Sequence, residues 1–439
     1  YGAAVLAKEH RGNTTSEESS FYGFEFGNRE FETSSFTCED CSNHCEIKRV
    51  QLTGEVPLYY GSRCGKYDST REGDNKEQNK GKDLIGKLPD LYDYRNSQFW
   101  GEDFHKPDNR STRVYSSFTE TTEGSIGIPR VLLFWSKFPF WSTFFRTLGY
   151  DVVLSKKTDK SLIRKSSQNA TSETCLPSKI SYGHISNLLS CAVEGGGLDY
   201  LFLPAMVSNK HENTNTRTNY NCPLVQGLPY ISNGQFDFGR SYYPVKLITQ
   251  AFHFYSEERL MGELRDLGST LGKSRSRIEK AYEKASGAED RAKNNCVEKG
   301  KEVLEELGPS QIGLVVMSRS YNGCDSGLNM KIPEKLRELG AVPIPIDCLP
   351  LEGINPDKFH PDMQWDWGKR ILSAASFIKN QKNLYGLYLS HFRCGPDSFI
   401  IRYAREMLED EPFLHLELDE HSADAGLITR CEAFLDSLK

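Results

Sequence analysis

The sequence predicts an α/β fold with two Rossmann-like lobes, mainly parallel sheets, a long helical insertion between them and a small N-terminal cysteine module. In residues 124–244 and again in 307–439, short apolar runs typical of buried strands alternate with segments of helical period. Such alternation favours βαβ units. Residues 245–306, the helical arm, instead carry heptad-like apolar spacing and many Lys/Glu pairs, which is typical of a long helical hairpin.

The first lobe begins as a βαβ unit, in which Gly149 occupies the expected C-cap of the helix. Its expected elements, in order, are a strand within 126–135, helix 138–148, strand 151–154, helix 179–192 and strand 200–204. Residues 205–220, rich in Asn and Thr, then predict a polar loop that leads to Cys222.

Outside the first lobe, two expected helices form the arm, 245–267 and 274–307, and their charges are typical of a solvated surface. The second lobe alternates strands and helices. Its expected strands are 312–316, 342–346, 384–389 and 413–418, and its expected helices are 332–339, 367–379, 398–408 and 423–438. Residues 1–36 indicate the end of a preceding domain and a linker, and the charged segment 69–123 predicts a linker along the surface.

The composition and net charge of the chain restrict the kinds of partner and compartment that we expect. The 439 residues carry a net charge of -6, which argues against binding driven by nucleic-acid phosphates. No apolar run approaches the roughly 20 residues of a membrane span, and the first ten residues lack the features of a secretory signal. Twelve cysteines in such a chain favour metal ligation in a reducing compartment, so we expect a cytoplasmic protein with no membrane or nucleic-acid partner.

Cys175, Cys222 and Cys394, which we call the interface thiols, each lie within two residues of a proline and open a segment that predicts a helix. Free N–H groups at a helix start stabilise a thiolate or an anionic cluster. Three such positions in one chain predict three thiolate ligands to an iron–sulfur cluster. The alternative is three unrelated buried cysteines.

A second group has the spacing C-x2-C-x3-C-x18-C and comprises Cys38, Cys41, Cys45 and Cys64 within the module 37–68. The close first pair is a strong indication of metal binding. Spacing alone does not choose between structural zinc and a [4Fe–4S] cluster. His44, directly before Cys45, is expected beside this site rather than as a ligand.

The other cysteines predict weaker roles. Cys324 is either a spare ligand or a loop residue, Cys348 only partly fits the helix-start pattern, and Cys191, Cys296 and Cys431 are expected in the core. His184 lies about two helical turns after Cys175, where it either faces the cluster or is a hydrogen-bonded core histidine. No catalytic residue can be assigned from the sequence.

The chain resembles the large acyl-CoA dehydratase activase-related proteins, whose later domains are similar to the 2-hydroxyacyl-CoA dehydratase and double-cubane cluster family. The tract 418–426 is the most specific part of this resemblance. The other matching stretches are 126–130, 173–184, 200–204, 221–230, 321–336, 394–399 and 416–436. Residues 1–4 look like the end of the family's ATP-hydrolysing domain, and the cysteine quartet looks like the module that follows it.

This resemblance implies ATP-driven electron transfer to a low-potential cluster in an anaerobe, with Cys175, Cys222 and Cys394 ligating one [4Fe–4S] cubane. Two departures matter. The ATP-hydrolysing activase domains are absent apart from their tail, and relatives continue beyond Lys439 into a segment with further cysteines. The other half of a double cubane would therefore come from such a segment or from another subunit.

The leading hypothesis is an iron–sulfur electron-transfer or reductase module of an ATP-dependent activase–dehydratase-like enzyme. Its expected partners are the activase domains, on the same or a separate polypeptide, a small-molecule or acyl-CoA substrate, and a second copy in a homo-oligomer. Two alternatives remain open: a non-catalytic zinc-stabilised scaffold that binds a partner protein, and an α/β protein that binds a CoA ester between its lobes.

Overall fold

The structure is a computed structural model that describes most of the chain. The described residues are 30–38, 45–52, 57–61, 85–101, 104, 112–170, 172–193, 197–210, 219–238, 243–379, 381–409, 411–422 and 424–438. The chain divides into two compact units, 1–78 and 79–439. The expected end of a preceding domain lies mostly outside the described residues.

The first unit contains a three-stranded antiparallel sheet. Its strands are β1 (Phe31–Thr37), β2 (Glu46–Leu52) and β3 (Leu58–Tyr60), in that order across the sheet. Thr37 pairs with Glu46, so the chain leaves β1 at Cys38 and enters β2 from Cys45. These two cysteines and Ile47 are buried together as a small apolar core.

In the second unit, the first lobe is built on a five-stranded sheet in the order β4-β6-β5-β7-β9. The strands up to β10 are β4 (Thr112–Tyr115), β5 (Ser125–Ile128), β6 (Asp151–Ser155), β7 (Tyr200–Phe202), β8 (Ala205–Ser208), β9 (Lys246–Ile248) and β10 (Ala251–His253). All neighbours in the five-stranded sheet are parallel except β4 and β6. Strands β8 and β10 form a separate parallel pair.

The second lobe has a fully parallel four-stranded sheet in the order β12-β11-β13-β14. Its strands are β11 (Ile312–Met317), β12 (Ala341–Pro345), β13 (Leu384–His391) and β14 (Phe413–Leu418). The two lobes and their mainly parallel sheets confirm the predicted α/β fold class.

The described helices connect and cover these sheets. They are α1 (Leu91–Trp100), α2 (Phe134–Thr147), α3 (Lys160–Asn169), α4 (Leu176–Val193), α5 (Pro223–Gln226), α6 (Leu228–Phe236), α7 (Glu257–Thr270), α8 (Arg275–Glu306), α9 (Ser320–Cys324), α10 (Ile332–Glu338), α11 (Asp366–Ile378), α12 (Gly395–Leu408) and α13 (Asp424–Ser437). Within the described part of the chain, none is both long and apolar enough to cross a membrane.

Two predicted segments differ from the structure in secondary structure. The expected polar loop 205–220 begins with strand β8, and the expected helix 245–267 begins with strands β9 and β10. Each of these strands is only three or four residues long and depends on a partner from the other segment or from β7. Such pairing is a tertiary effect that local periodicity does not report.

Two other segments are more buried than predicted. Helix α1 lies in the expected surface linker, yet Trp100 is only 1% exposed and stacks on Phe138 with ring centroids 4.6 Å apart. The arm helix α8 is packed as well as solvated. Its Glu289 is buried and accepts a 2.7 Å hydrogen bond from Lys137 of α2. Burial alone would raise the pKa of Glu289. The paired lysines Lys137 and Lys293 outweigh burial and lower this pKa to about 2.

Helix α8 also passes very close to the second lobe at Gly300. A Cβ atom placed there would lie 1.7 Å from the carbonyl oxygen of Cys348. Only glycine permits this approach, since any side chain would force the backbones apart. The arm is thereby fixed against both lobes.

Candidate metal centre

The three interface thiols all stand at the start of a helix, as the sequence predicted. Cys222 and Cys394 are the N-cap residues of α5 and α12, each with proline in the first turn. Cys175 directly precedes α4, and its carbonyl oxygen accepts hydrogen bonds from the N–H groups of Ser178 and Lys179 at 3.0 and 3.1 Å. All three cysteines are partly exposed.

An ion-pair network draws the Cys175 segment to the Cys394 segment. Glu173 pairs with Arg393, which directly precedes Cys394, and with Lys179 at 2.8 Å. Lys179 also pairs with Glu420 at 2.7 Å, and its side chain is only 4% exposed. Glu420 belongs to the tract that is most specific for the family resemblance. The network therefore crosses from the first lobe to the second beside two of the three thiols.

Backbone pairing draws the Cys222 segment to the second lobe. The Tyr220 N–H donates to the Gln364 carbonyl at 2.8 Å, and the Asp366 N–H donates to the Tyr220 carbonyl at 3.1 Å. Asn209 strengthens this contact because its side-chain amide donates to Asp366 at 3.1 Å. The loop that carries Cys222 is thus hydrogen-bonded to the start of α11.

Tyr321, in helix α9 just after the carboxyl end of β11, lies near all three interface thiols. It is 5% exposed, and burial raises its pKa well above the ordinary value. Its phenol interacts electrostatically with Cys222, Cys394 and Cys175. A small cavity beside it is lined by Cys222, Trp365 and Trp367, among others. The three interface thiols therefore lie near one buried phenol, and Cys175 also lies near Cys222 and Arg319.

Arg319 supplies the positive charge at this site. One terminal nitrogen of its guanidinium, Nη1, donates to Asp397 Oδ1 at 2.6 Å and to the Cys394 sulfur at 3.5 Å. Tyr388 donates its hydroxyl to the same Asp397 oxygen at 2.8 Å. Burial alone would lower the pKa of Arg319, and Asp397 more than compensates, so that the pKa lies above its ordinary value. The guanidinium remains charged.

Burial, and not the helix start, dominates the pKa values of Cys175 and Cys394. It raises the pKa of Cys175 to about 11, although the Ser178 N–H works against this change. Burial also raises the pKa of Cys394, and Arg319 works against it. The helix starts therefore do not by themselves bring the pKa of these two thiols down to its ordinary value. A metal bound here would have to displace their protons.

No group of three or more His, Cys, Asp or Glu side chains among the described residues is arranged to hold a single metal ion. For the N-terminal quartet, the structure describes only Cys38 and Cys45. The N–H of Cys38 donates to the carbonyl of Cys45 at 2.9 Å, so these two lie side by side at the end of the sheet. Cys41, Cys64 and His44 lie outside the described residues.

A second set of cysteines, the core thiols, comprises Cys296, Cys324 and Cys348. Their exposures are 0%, 4% and 0%, and the Cys348 side chain lies close to Cys296. They lie near the buried pair of Arg95 and Asp347, which are 2.9 Å apart. The prediction of a core position was right for Cys296, and it was right for Cys431, which is 2% exposed. Cys191 is only partly buried.

His184 is a hydrogen-bonded core histidine. Its Nδ1 lies 2.8 Å from Ser155 Oγ, and its Nε2 lies 3.1 Å from Thr158 Oγ1. The backbone N–H of Arg130 donates to Ser155 Oγ, and the Thr158 hydroxyl donates to Asp325 Oδ2 at 2.5 Å. These directions place the histidine proton on Nε2, and the hydrogen-bond chain links the first lobe to the second.

Sequence reasoning did not find Arg319 or Tyr321. Neither lies in a motif, and Arg319 is 75 positions away from Cys394 along the chain. One signal could have found them: both residues follow a buried parallel strand, β11, and binding sites form at the carboxyl ends of such strands. The ion pair between Lys179 and Glu420 spans 241 positions and had no comparable indication.

Comparison with known families agrees with the sequence resemblance. Residues 125–349 match the family described as CoA enzyme activase uncharacterised domain (DUF2229). The match runs from β5 through β12, covers more than half of the chain, and includes Cys175 and Cys222. No curated protein matches the chain. The chain therefore belongs to this CoA enzyme activase family, consistent with an acyl-CoA dehydratase activase-related protein.

Proposed function

We propose that the chain is an iron–sulfur electron-transfer or reductase module of an ATP-dependent activase–dehydratase-like system. It would deliver low-potential electrons to a substrate that is difficult to reduce. Cys175, Cys222 and Cys394 would bind one [4Fe–4S]-type cluster, either alone or as half of a double cubane. Cys38, Cys41, Cys45 and Cys64 would bind a second [4Fe–4S] cluster or zinc.

The observation that supports this proposal is that all three interface thiols lie near the buried Tyr321 phenol. They come from three separate helix starts in two lobes, and each lobe-to-lobe contact around them has its own hydrogen bonds or ion pairs. Buried cysteines that only fill space do not need such placement. Soft thiolates at helix N-termini are the ligands that iron–sulfur clusters use.

We propose a cluster in preference to a single ion, because three thiolates are the donor set that an iron–sulfur cluster takes. Thiolates that share one cubane bind different irons, so they stand further apart than the ligands of one metal ion. The three interface thiols lie near one buried phenol, and the proposed cluster would take one thiolate from each of them. Protons on Cys175 and Cys394 would leave on loading, as metal binding to thiols requires.

When bound, the cluster supplies one-electron chemistry. The chain's own residues define its surroundings. The N–H of Ser178 and the guanidinium of Arg319 direct positive charge toward Cys175 and Cys394. Tyr321, Trp365 and Trp367 line the adjoining cavity with aromatic surface and reduce the access of water. Such surroundings tune a cluster's potential.

Membership in a CoA enzyme activase family supports the proposed partners. ATP-hydrolysing activase domains would supply the electrons, and an acyl-CoA or another small molecule would accept them.

The first experiment is to measure metal and acid-labile sulfide in protein purified without oxygen, and to record absorption spectra before and after dithionite. Iron and sulfide in similar amounts, with a broad visible band that bleaches, are expected. Zinc alone would contradict the redox proposal and favour the zinc-stabilised scaffold. No metal, together with a higher melting temperature in the presence of a CoA ester, would favour the ester-binding alternative.

A further inference from the structure

We infer that Arg319 is a positioning residue for Cys394: it donates a charge-assisted hydrogen bond to the Cys394 sulfur and raises the reduction potential of a cluster bound there. The inference about the potential rests on the proposed function. The contact between Arg319 and the sulfur belongs to the metal-free protein and can be tested without any cluster.

The fold brings the two residues together through neighbouring parallel strands. Arg319 follows β11 and is the N-cap residue of α9, whereas Cys394 follows β13 and is the N-cap residue of α12. Strands β11 and β13 are paired in parallel, so their carboxyl ends lie at the same edge of the sheet. The Arg319 side chain is 3% exposed and reaches across this edge to the sulfur at 3.5 Å.

Asp397 and Tyr388 hold Arg319 in place without using all of its hydrogen-bonding capacity. Only Oδ1 of Asp397 accepts from Arg319 and from Tyr388, at 2.6 and 2.8 Å. In the described part of the chain, the buried Oδ2 atom of Asp397 has no hydrogen-bond partner. A guanidinium that served only a structural ion pair would favour both oxygens in a bidentate arrangement. Here the same terminal nitrogen contacts a carboxylate oxygen and the sulfur.

The sign of the expected effect follows from charge. Reduction adds an electron to a cluster, so a nearby buried cation stabilises the reduced form more than the oxidised form. A hydrogen bond to a ligand sulfur acts in the same direction. Arg319 therefore makes reduction easier, and Asp397 partly offsets this effect because its negative charge lies close by.

The test compares Arg319→Met, which removes the charge and the donors, with Arg319→Lys, which keeps the charge. Arg402→Met is the matched control, since Arg402 lies in α12, the helix that Cys394 caps, but its side chain is 78% exposed and pairs with Glu406. Each protein is loaded with iron and sulfide without oxygen, and its potential is measured by a spectroscopic redox titration. We expect a more negative potential in Arg319→Met, a value near wild type in Arg319→Lys, and no change in the control.

Asp397→Asn gives the opposite sign. Removing this carboxylate leaves more of the Arg319 charge uncompensated, so the potential should become more positive. If Arg319 only filled space, Arg319→Met should instead make the potential more positive, because water that enters the vacated space stabilises the reduced cluster. An unchanged or more positive potential in Arg319→Met, at wild-type iron content, overturns the inference.

A metal-free measurement separates this inference from the proposed function. Cys394 is alkylated with iodoacetamide at one fixed alkaline pH, and the modified residue is quantified by mass spectrometry. We expect alkylation to be about tenfold slower in Arg319→Met because the thiolate loses a charged donor. It should stay near the wild-type rate in Arg319→Lys and in Arg402→Met.

Each outcome then has one meaning. Wild-type protein that binds no iron contradicts the proposed function, and the alkylation rates still decide whether Arg319 supports the thiolate. Equal or faster alkylation in Arg319→Met contradicts the inference whether or not iron binds. If Arg319→Met does not fold by circular dichroism, Arg319→Gln replaces it, with the same sign expected and a smaller change.

Discussion

The 79–439 unit contains two sets of three cysteines whose surroundings differ. The core thiols are almost fully buried, and burial raises the pKa of Cys324 to about 12. The interface thiols are partly exposed, stand at three helix starts and lie near Tyr321. Both sets lie near a buried arginine–aspartate pair. The difference teaches that the number of cysteines says little, whereas their position on the backbone and their access to solvent distinguish candidate ligands from packing residues.

Removing one cysteine from each set is the most direct test of the difference between interface thiols and core thiols. Cys222→Ala should abolish or strongly reduce iron content while the fold stays largely intact, because a half-exposed helix start contributes little packing. Iron and acid-labile sulfide per chain, with circular dichroism as the check on folding, measure this.

Cys296→Ala is the matched control from the core thiols, and Cys431→Ala is a second one. Both should keep wild-type iron content. Unchanged iron in Cys222→Ala would remove Cys222 from the proposed ligand set, and loss of iron in either control would contradict the division into two sets.

The second prediction concerns the arginine–aspartate pair of the core set. Asp347→Ala leaves Arg95, which is 0% exposed, without its closest carboxylate, and should lower the free energy of unfolding by about 3–5 kcal/mol. Urea unfolding of the metal-free protein measures this loss. Iron per folded chain should not change. Asp362→Ala, at an exposed position, should alter neither quantity, and a similar loss of stability there would show that the effect is not specific to the buried pair.

A third prediction uses the hydrogen-bond chain through His184, which lies outside both sets. Burial lowers the pKa of His184 from 6.5 to about 3, with Arg130 and Lys156 adding to the effect, and burial raises the pKa of Asp325 from 3.8 to about 6. As pH falls below 6.5, the unfolded chain gains a proton at His184 and the folded protein loses stability. As pH falls through 6, the folded protein gains a proton at Asp325 and recovers stability. The two effects largely offset each other down to about pH 4.

Asp325→Asn removes one side of this offset. Between pH 6.5 and about pH 4, its unfolding free energy should fall by about 3 kcal/mol more than that of the wild type, which corresponds to two pKa units. Urea unfolding at several pH values measures the slope. Asp362→Asn should show the wild-type slope. Equal slopes in wild type and Asp325→Asn would mean that the two residues do not titrate as a compensating pair.

The fold class and the helix starts at the interface thiols could be predicted from sequence because their determinants are local. Proline in the first helical turn restricts the backbone at Cys222 and Cys394, and apolar runs report buried strands such as β11. Strands β8 and β10 were missed because two very short segments are stable only when paired with each other. The burial of Glu289 was missed because its partner Lys137 lies 152 positions away.

The same distinction applies to the candidate site. The cysteines were recognisable one by one, but the groups that hold them together are long-range contacts. Arg319 touches Cys394 only because β11 and β13 are neighbours in the sheet. The raised pKa values of Cys175 and Cys394 depend on burial, which periodicity at a helix start does not reveal.

The separation of the interface thiols along the chain has a consequence for biosynthesis. Cys394 follows Cys222 by about 170 residues, and translation adds roughly 5–20 residues per second. The first two thiols are therefore made roughly ten to thirty seconds before the third exists. During this interval the parallel partners β11 and β13 are also incomplete, so the site can be assembled only after the second lobe has been synthesised. Loading of a cofactor here would be a late, post-translational step that needs protection of the early thiols from oxidation.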